Sequence, residues 1–283
     1  MNAFVLNLSD GTLCFVGLVM ILVAQGGLLK VSRALYKSVL TIVVLVGAVL
    51  VLLSATPLAL WVYIVWGVLV LGGLVVLSNK TSSRHYKLST YCILLAVSLA
   101  ILIFELPYHF FPKMHIESDV TIYVIGDSIS AGIGTDHQCW PEVLGRVSNH
   151  KVVNLAKAGA KISTANVQAK AIAQGKSLVI IEMGGNDLLG GTTAKAFYES
   201  LDRVIASLSN AGHHILMIEL PLIPFKNAYG KAQRSIAGKY NITMLPKRYF
   251  TKVFATQEGT LDGLHLSQSG HNLMAQIIHK VIR

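Results

Sequence analysis

Four short stretches of the chain carry residue types that do acyl or phosphoryl chemistry: "GDSIS" at 126–130, "NLAKAGA" at 154–160, "GGND" at 184–187 and "DGLH" at 262–265. They supply a serine hydroxyl, a glycine turn, a side-chain amide and an Asp-x-x-His pair. The first stretch continues as "GDSISAGIG" and admits three readings: a phosphate-cradling loop, the seat of a nucleophile, or a plain turn. Phosphate loops need Gly-x-x-x-x-Gly-Lys-Ser/Thr or Gly-x-Gly-x-x-Gly, and this run fits neither and holds no lysine. The Gly-x-Ser-x-Gly elbow fails because its last position is Ser130. Taken singly, glycine with serine or with Asn-Asp is ordinary turn composition, and "DGLH" also suits the approach to a helix N-cap at Ser267.

The elements that must hold these stretches follow from apolar periodicity. Strand-like runs occur at 121–126, 151–156, 177–183, 214–220 and 241–246. Helical patterns separate them at about 140–147, 163–174, 194–210 and 226–238, with a last one at 267–282, where Leu273, Ile277, Ile278 and Val281 share a face. Apolar strands alternating with helices predict a five-stranded parallel sheet in a flavodoxin-like, three-layer α/β/α sandwich. Such sheets bind ligands beyond the carboxyl ends of their strands. The four stretches lie together on that edge, although 139 positions separate Gly126 from His265.

The residues that gather there resemble the SGNH (GDSL-type) hydrolases, and among them the thioesterase I/lysophospholipase L1-like esterases. The likeness runs through "VIGDSISAGIG", "CWPEVL", "VVNLAKAGA", "IEMGGNDLLGG" and "LDGLHLSQSGH", in family order. It implies a serine esterase without a cofactor, in which Ser128 attacks the acyl carbon, His265 is the base and Asp262 orients it. The same likeness implies an oxyanion hole made by the backbone N–H groups of Ser128 and Gly159 and the Asn186 side chain. Each role is chemically sensible: a serine hydroxyl needs a base, a base needs an orienting carboxylate, and an oxyanion needs donors. Asp127 reads as a brace for the turn. Leu188, Leu189, Leu222 and Ile223 offer lining for an acyl chain, or core.

The chain ahead of these stretches is of another kind. The 283 residues are 53% hydrophobic and 13% charged, with mean hydropathy +0.58, which is too apolar for an ordinary soluble domain. The excess lies in four runs at about 11–29, 38–55, 58–77 and 88–106, each of bilayer-spanning length. No Lys or Arg precedes the first run, so it reads as a retained anchor rather than a cleaved signal. Lys30, Arg33 and Lys37 lie between the first two runs, and Lys80, Arg84 and Lys87 between the last two. By the positive-inside rule, both ends of the four-span unit then face away from the cytoplasm. The expected organisation is a four-helix transmembrane region at 1–113 and an extracytoplasmic hydrolase domain at 114–283, with Pro107 and Pro112 ending the last span.

Part of the formal charge of +10 is therefore a topological signal. The remainder makes the domain mildly basic, which suits an anionic lipid or polymer surface. No basic run with interleaved aromatics indicates nucleic acid. Cys139, the lone cysteine of the domain, reads as a small buried hydrophobe, and His213, His214, His271 and His279 lack metal-ligand spacing, so no metal is expected. The last two histidines are expected at exposed or capping positions. The expected partner is an acyl ester in or near the membrane: a lysophospholipid, an acylated lipid or an O-acylated envelope glycan. Transfer of the acyl group to a hydroxyl acceptor and a catalytically silent binding module are the alternatives.

Overall fold

The computed structural model describes residues 3–133 and 138–283; Gly134, which closes "GDSISAGIG", lies outside the described residues. Contacts divide the chain chiefly into Asn7–His109 with Ile223–Asn227, and Phe110–Leu222 with Ala228–Arg283.

The first unit is helical. It comprises α1 (Ala3–Ser9), which straddles the division, α2 (Thr12–Leu28), α3 (Ala34–Leu53), α4 (Leu60–Ser78) and α5 (Arg84–Glu105). Three of these, α3, α4 and α5 with its continuation to His109, are long and apolar enough to cross a membrane. The apolar helix α2 has 17 residues and is shorter than the run at 11–29 implies. Inside the unit, Leu18, Ile21, Val44, Val51, Trp66 and Leu94 pack together. The α2 and α3 backbones approach so closely that a Cβ on Gly17 would lie 2.5 Å from Gly47 O, the small-residue contact common between membrane helices. Polar groups inside are tied across helices, as where Gln25 Nε2 donates to Val70 O at 3.0 Å. Outward-facing positions such as Ile42, Leu60, Trp61, Val75, Ile103 and Phe104 are apolar and exposed.

The second unit is the parallel sheet and its helices. In chain order they are β1 (Ile122–Gly126), α6 (Ser128–Ala131), α7 (Trp140–Ser148), β2 (Val152–Asn154), α8 (Ala165–Ala169), β3 (Leu178–Glu182), α9 (Gly185–Leu189), α10 (Ala194–Asn210), β4 (His214–Ile218), α11 (Asn227–Tyr240), β5 (Thr243–Leu245), α12 (Lys247–Ala255) and α13 (Gln268–Val281). The strand order is β2-β1-β3-β4-β5 with every pair parallel. Alternate residues of each strand face opposite layers. Ile122, Val124, Leu178, Ile180, Leu216 and Ile218 are packed with Trp140 and Leu144 of α7, Phe250 of α12 and Met274 and Ile278 of α13. The intervening strand residues Ile125, Val179, Ile181, Ile215 and Met217 are equally buried, and α8 and α10 pack against the sheet, at β1 and β4 respectively. This order reverses direction between β1 and β3, the switch point where open sheets bind ligands.

All five strands and the helices at 140–148, 194–210, 227–240 and 268–281 fall where the periodicity predicts. Helix α8 is shorter than the pattern at 163–174, because Ala171 N–H donates to Gln168 O at 3.0 Å and tightens the last turn. The nine-residue helix α12 is absent from the sequence expectation. Its stretch "KRYFTKVFA" is short and nearly half polar, and Lys247 and Thr251 are buried in it beside the apolar face of Phe250, Val253 and Phe254. Cys139 is buried, as is His271, whose ring accepts from Trp140 N–H at 3.2 Å. His271 is thus not exposed; it links the start of α7 to α13.

Candidate active site

Register decides which residues meet. Gly126 pairs with Glu182, so the turn that leaves β1 lies beside the turn that leaves β3, and Asp127-Ser128 faces Gly184-Gly185-Asn186. Ser128 is the first residue of α6, capped by Asp127, whose Oδ1 accepts from Ile129 N–H at 3.1 Å. Gly184 caps α9 at φ 119°, and a Cβ there would lie 2.6 Å from Leu220 Cδ1, so only glycine allows the turn that presents Asn186. Ser128 and Asn186 are half-buried, whereas Asp127 is buried.

The Asn186 amide is held from two sides, Nδ2 donating to Asp127 Oδ2 at 3.2 Å and to Ala160 O at 3.1 Å. The second bond draws in the loop after β2. Asp187 Oδ2 fastens the same loop by accepting from Ile162 N–H at 2.8 Å. Gly159 lies in that loop, exposed and at φ 70°.

Asp262 and His265 form a unit of their own. His265 Nδ1 is 2.7 Å from Asp262 Oδ2, and Asp262 Oδ1 accepts from the backbone N–H groups of Leu264 and His265 at 2.9 and 2.8 Å. A small loop fixes the pair: Thr260 and Leu266 bridge antiparallel, and Leu261 N–H donates to His265 O at 2.8 Å. Those donors, the His265 backbone N–H first and its ring next, hold the Asp262 carboxyl far below the usual carboxylate range. With Nδ1 engaged, Nε2 is the ring nitrogen left for chemistry. Two contacts tie α13, which follows this loop, to the start of α7: Trp140 N–H to His271 at 3.2 Å and Gln268 Nε2 to Gln138 O at 3.2 Å. Burial raises the Asp127 carboxyl, and a positive charge on His265 opposes that rise.

Beneath the turn lies a group that the sequence analysis overlooked. Glu182 is buried, its Oε2 accepting from Ser130 Oγ at 2.7 Å, while Ser130 Oγ accepts from Trp140 Nε1 at 3.1 Å. Backbone N–H groups of Asp127 and Ser130 also reach Glu182. Burial, then the neighbouring Asp127 charge, pushes the Glu182 carboxyl well above its ordinary range. Burial likewise raises Asp127 to about 6, with the bond from Ile129 and the His265 charge opposing. Gln168 clamps the strand end, its amide exchanging two 3.0 Å bonds with Gly126 N–H and O. The only advance signal for either residue was a polar side chain inside or beside an apolar run, in "VIIEM" and "ANVQA".

The four proposed acyl-lining residues part company. Leu188 and Leu222 are buried at 7% and 0% exposure, while Leu189 is 62% exposed; Ile223, 44% exposed, groups with the helical unit. Leu261 and Leu264, on either side of Asp262, are exposed as well.

The model of the GDSL-like Lipase/Acylhydrolase family matches residues 124–273, which contain every site residue above. Esterase TesA of Pseudomonas aeruginosa is 26% identical over 160 residues, covering 51% of this chain and 79% of TesA. In three dimensions the chain is similar to the psychrotrophic esterase EstA from Pseudoalteromonas sp., with TM-score 0.52 and 18% identity over 58% of this chain and 96% of EstA. It is similar also to a catalytic mutant of Axe2, an acetylxylan esterase from Geobacillus stearothermophilus, with TM-score 0.50 and 16% identity over 60% and 98%. These two likenesses are of fold. The family match covers more than half of the chain, and the protein is an ester-hydrolysing member of the GDSL-like lipase/acylhydrolase family.

Proposed function

We propose that the protein is a membrane-anchored serine esterase that forms an acyl-enzyme at Ser128 outside the cytoplasm. The observation that carries the catalytic part is the 2.7 Å Asp262–His265 pair, in a domain whose sheet register brings the turn bearing Ser128 together with Asn186 and the loop of Gly159. Attack by Ser128 Oγ on the ester carbonyl passes its proton to His265 Nε2, and Asp262 stabilises the imidazolium. The oxyanion is met by the Ser128 and Gly159 backbone N–H groups and the Asn186 amide. Collapse breaks the ester C–O bond, and the departing alcohol takes the proton from His265. Water then repeats the sequence on the acyl-enzyme, releasing the acid and restoring Ser128.

Anchoring rests on α3, α4 and α5, with α2 as the fourth and shortest span at the lower limit of bilayer-crossing length. The six basic residues between spans support an extracytoplasmic catalytic domain. A tethered site favours acyl esters in or near the membrane, such as a lysophospholipid, an acylated lipid or an O-acylated envelope glycan. Exposed Leu189, Leu261 and Leu264 suit the apolar part of such a substrate. Hydrolysis of p-nitrophenyl acyl esters of graded chain length by purified protein tests the chemistry. Ser128→Ala is expected to lower kcat by at least about 10³-fold with every ester; an unchanged rate would overturn the mechanism.

A further inference from the structure

Asn186 Nδ2 has two protons, and both are engaged: one by the Asp127 carboxylate, the other by the Ala160 carbonyl. Both partners are acceptors only, so the amide cannot be turned round without setting its oxygen against two oxygens. Asp127 is as tightly placed. It is buried, with Oδ1 on Ile129 N–H and Oδ2 on Asn186, so one side chain spans the nucleophile turn and the α9 turn.

We propose that Asp127 is a positioning residue of the oxyanion hole, holding the Asn186 amide beside Ser128 through its Oδ2. The proposal rests on the reading of Ser128 and Asn186 given above. The two bonds on Nδ2, at 3.2 and 3.1 Å, lie toward the upper end of the normal range, and they differ in kind. A charged oxyanion is a stronger acceptor than the neutral Ala160 carbonyl and takes that proton as it forms. The Asp127 carboxylate retains the other and keeps the amide from rotating during the step. A carboxylate near an oxyanion is a like charge, but a positive charge on His265 favours the Asp127 carboxylate through space, and His265 becomes imidazolium in the same step. The developing positive charge is then met by Asp262 through a hydrogen bond and by Asp127 through space.

A double-mutant cycle on the full-length protein in detergent tests this, with kcat and KM measured on one p-nitrophenyl ester. Asn186→Ala is expected to lower kcat about 10²-fold. Asp127→Asn opposes one NH₂ group to another or gives up the cap on Ile129. Asp127→Ser retains a capping oxygen but is too short to reach Asn186. Each is expected to lower kcat about 10-fold with KM unchanged, and to add less than about 2-fold in the Asn186→Ala background. Thermal melting of every variant separates folding loss from catalytic loss. Full additivity, or wild-type kcat in Asp127→Ser, overturns the positioning role while leaving the oxyanion reading standing. An Asn186→Ala enzyme of wild-type kcat overturns both.

Discussion

Asp127, Glu182 and Asp187 are three acids gathered within one small volume, and burial raises all three. A carboxyl whose folded pKa lies above its ordinary value binds its proton more readily native than unfolded. Its contribution to stability therefore grows as pH falls through the folded value, and is complete below the unfolded one. For Asp127 that window runs from about 6 down to its ordinary value of 3.8. Asp262 behaves in the opposite sense, its contribution being lost only in strong acid. Buried His271, lowered to about 4, opposes the three acids on acidification. A comparison in which His271 is constant isolates Asp127: from pH 7 to pH 5 the wild-type melting temperature should rise relative to Asp127→Asn by a few degrees, on the order of 1 kcal/mol. A difference independent of pH would contradict the burial argument. The sequence made Ser128, Asp262 and His265 legible because Asp-x-x-His is local and serine after an apolar strand is conspicuous. Asp127 to Asn186 and Ser130 to Glu182 are contacts across 59 and 52 positions, and only the strand register creates them.

At the scale of elements, the carboxyl ends of β1 and β3 are where polar groups penetrate the core, and each is matched. Glu182 stands under α6 because Gly126 has no side chain: a Cβ there would lie 2.5 Å from Ser130 Cβ. Ser130 can then reach Glu182 while Trp140 of α7 closes the chain. Glu182→Gln keeps an acceptor for Ser130 and the turn N–H groups without a charge, and should leave the melting temperature within a few degrees. Glu182→Ala strands several buried donors at once and should cost about 3 kcal/mol or more. Equal melting of the two variants, read by circular dichroism, would contradict this role. Periodicity recovered β1, β3 and β4 because buried parallel strands are continuous apolar runs, and the part-buried edge strands β2 and β5 through short apolar runs of their own. It missed α12, whose buried face includes Lys247 and Thr251, and overextended α8, where Gln168 turns inward to clamp β1.

The whole molecule joins an apolar helical unit to a hydrolase unit, and each has its own sequence logic. Six basic residues in two loops bear on topology, while the proposed catalytic residues lie entirely beyond residue 120. The account thus makes one combined claim, that Ser128 is a reactive nucleophile on the outer side of the cytoplasmic membrane. A membrane-impermeant fluorophosphonate applied to cells with that membrane intact, followed by peptide mass spectrometry, tests it most directly. The account predicts an adduct on Ser128 before the membrane is opened, with none in Ser128→Ala. An adduct on Ser128 that appears only after lysis would contradict the topology, and labelled protein without an adduct on Ser128 would contradict the mechanism.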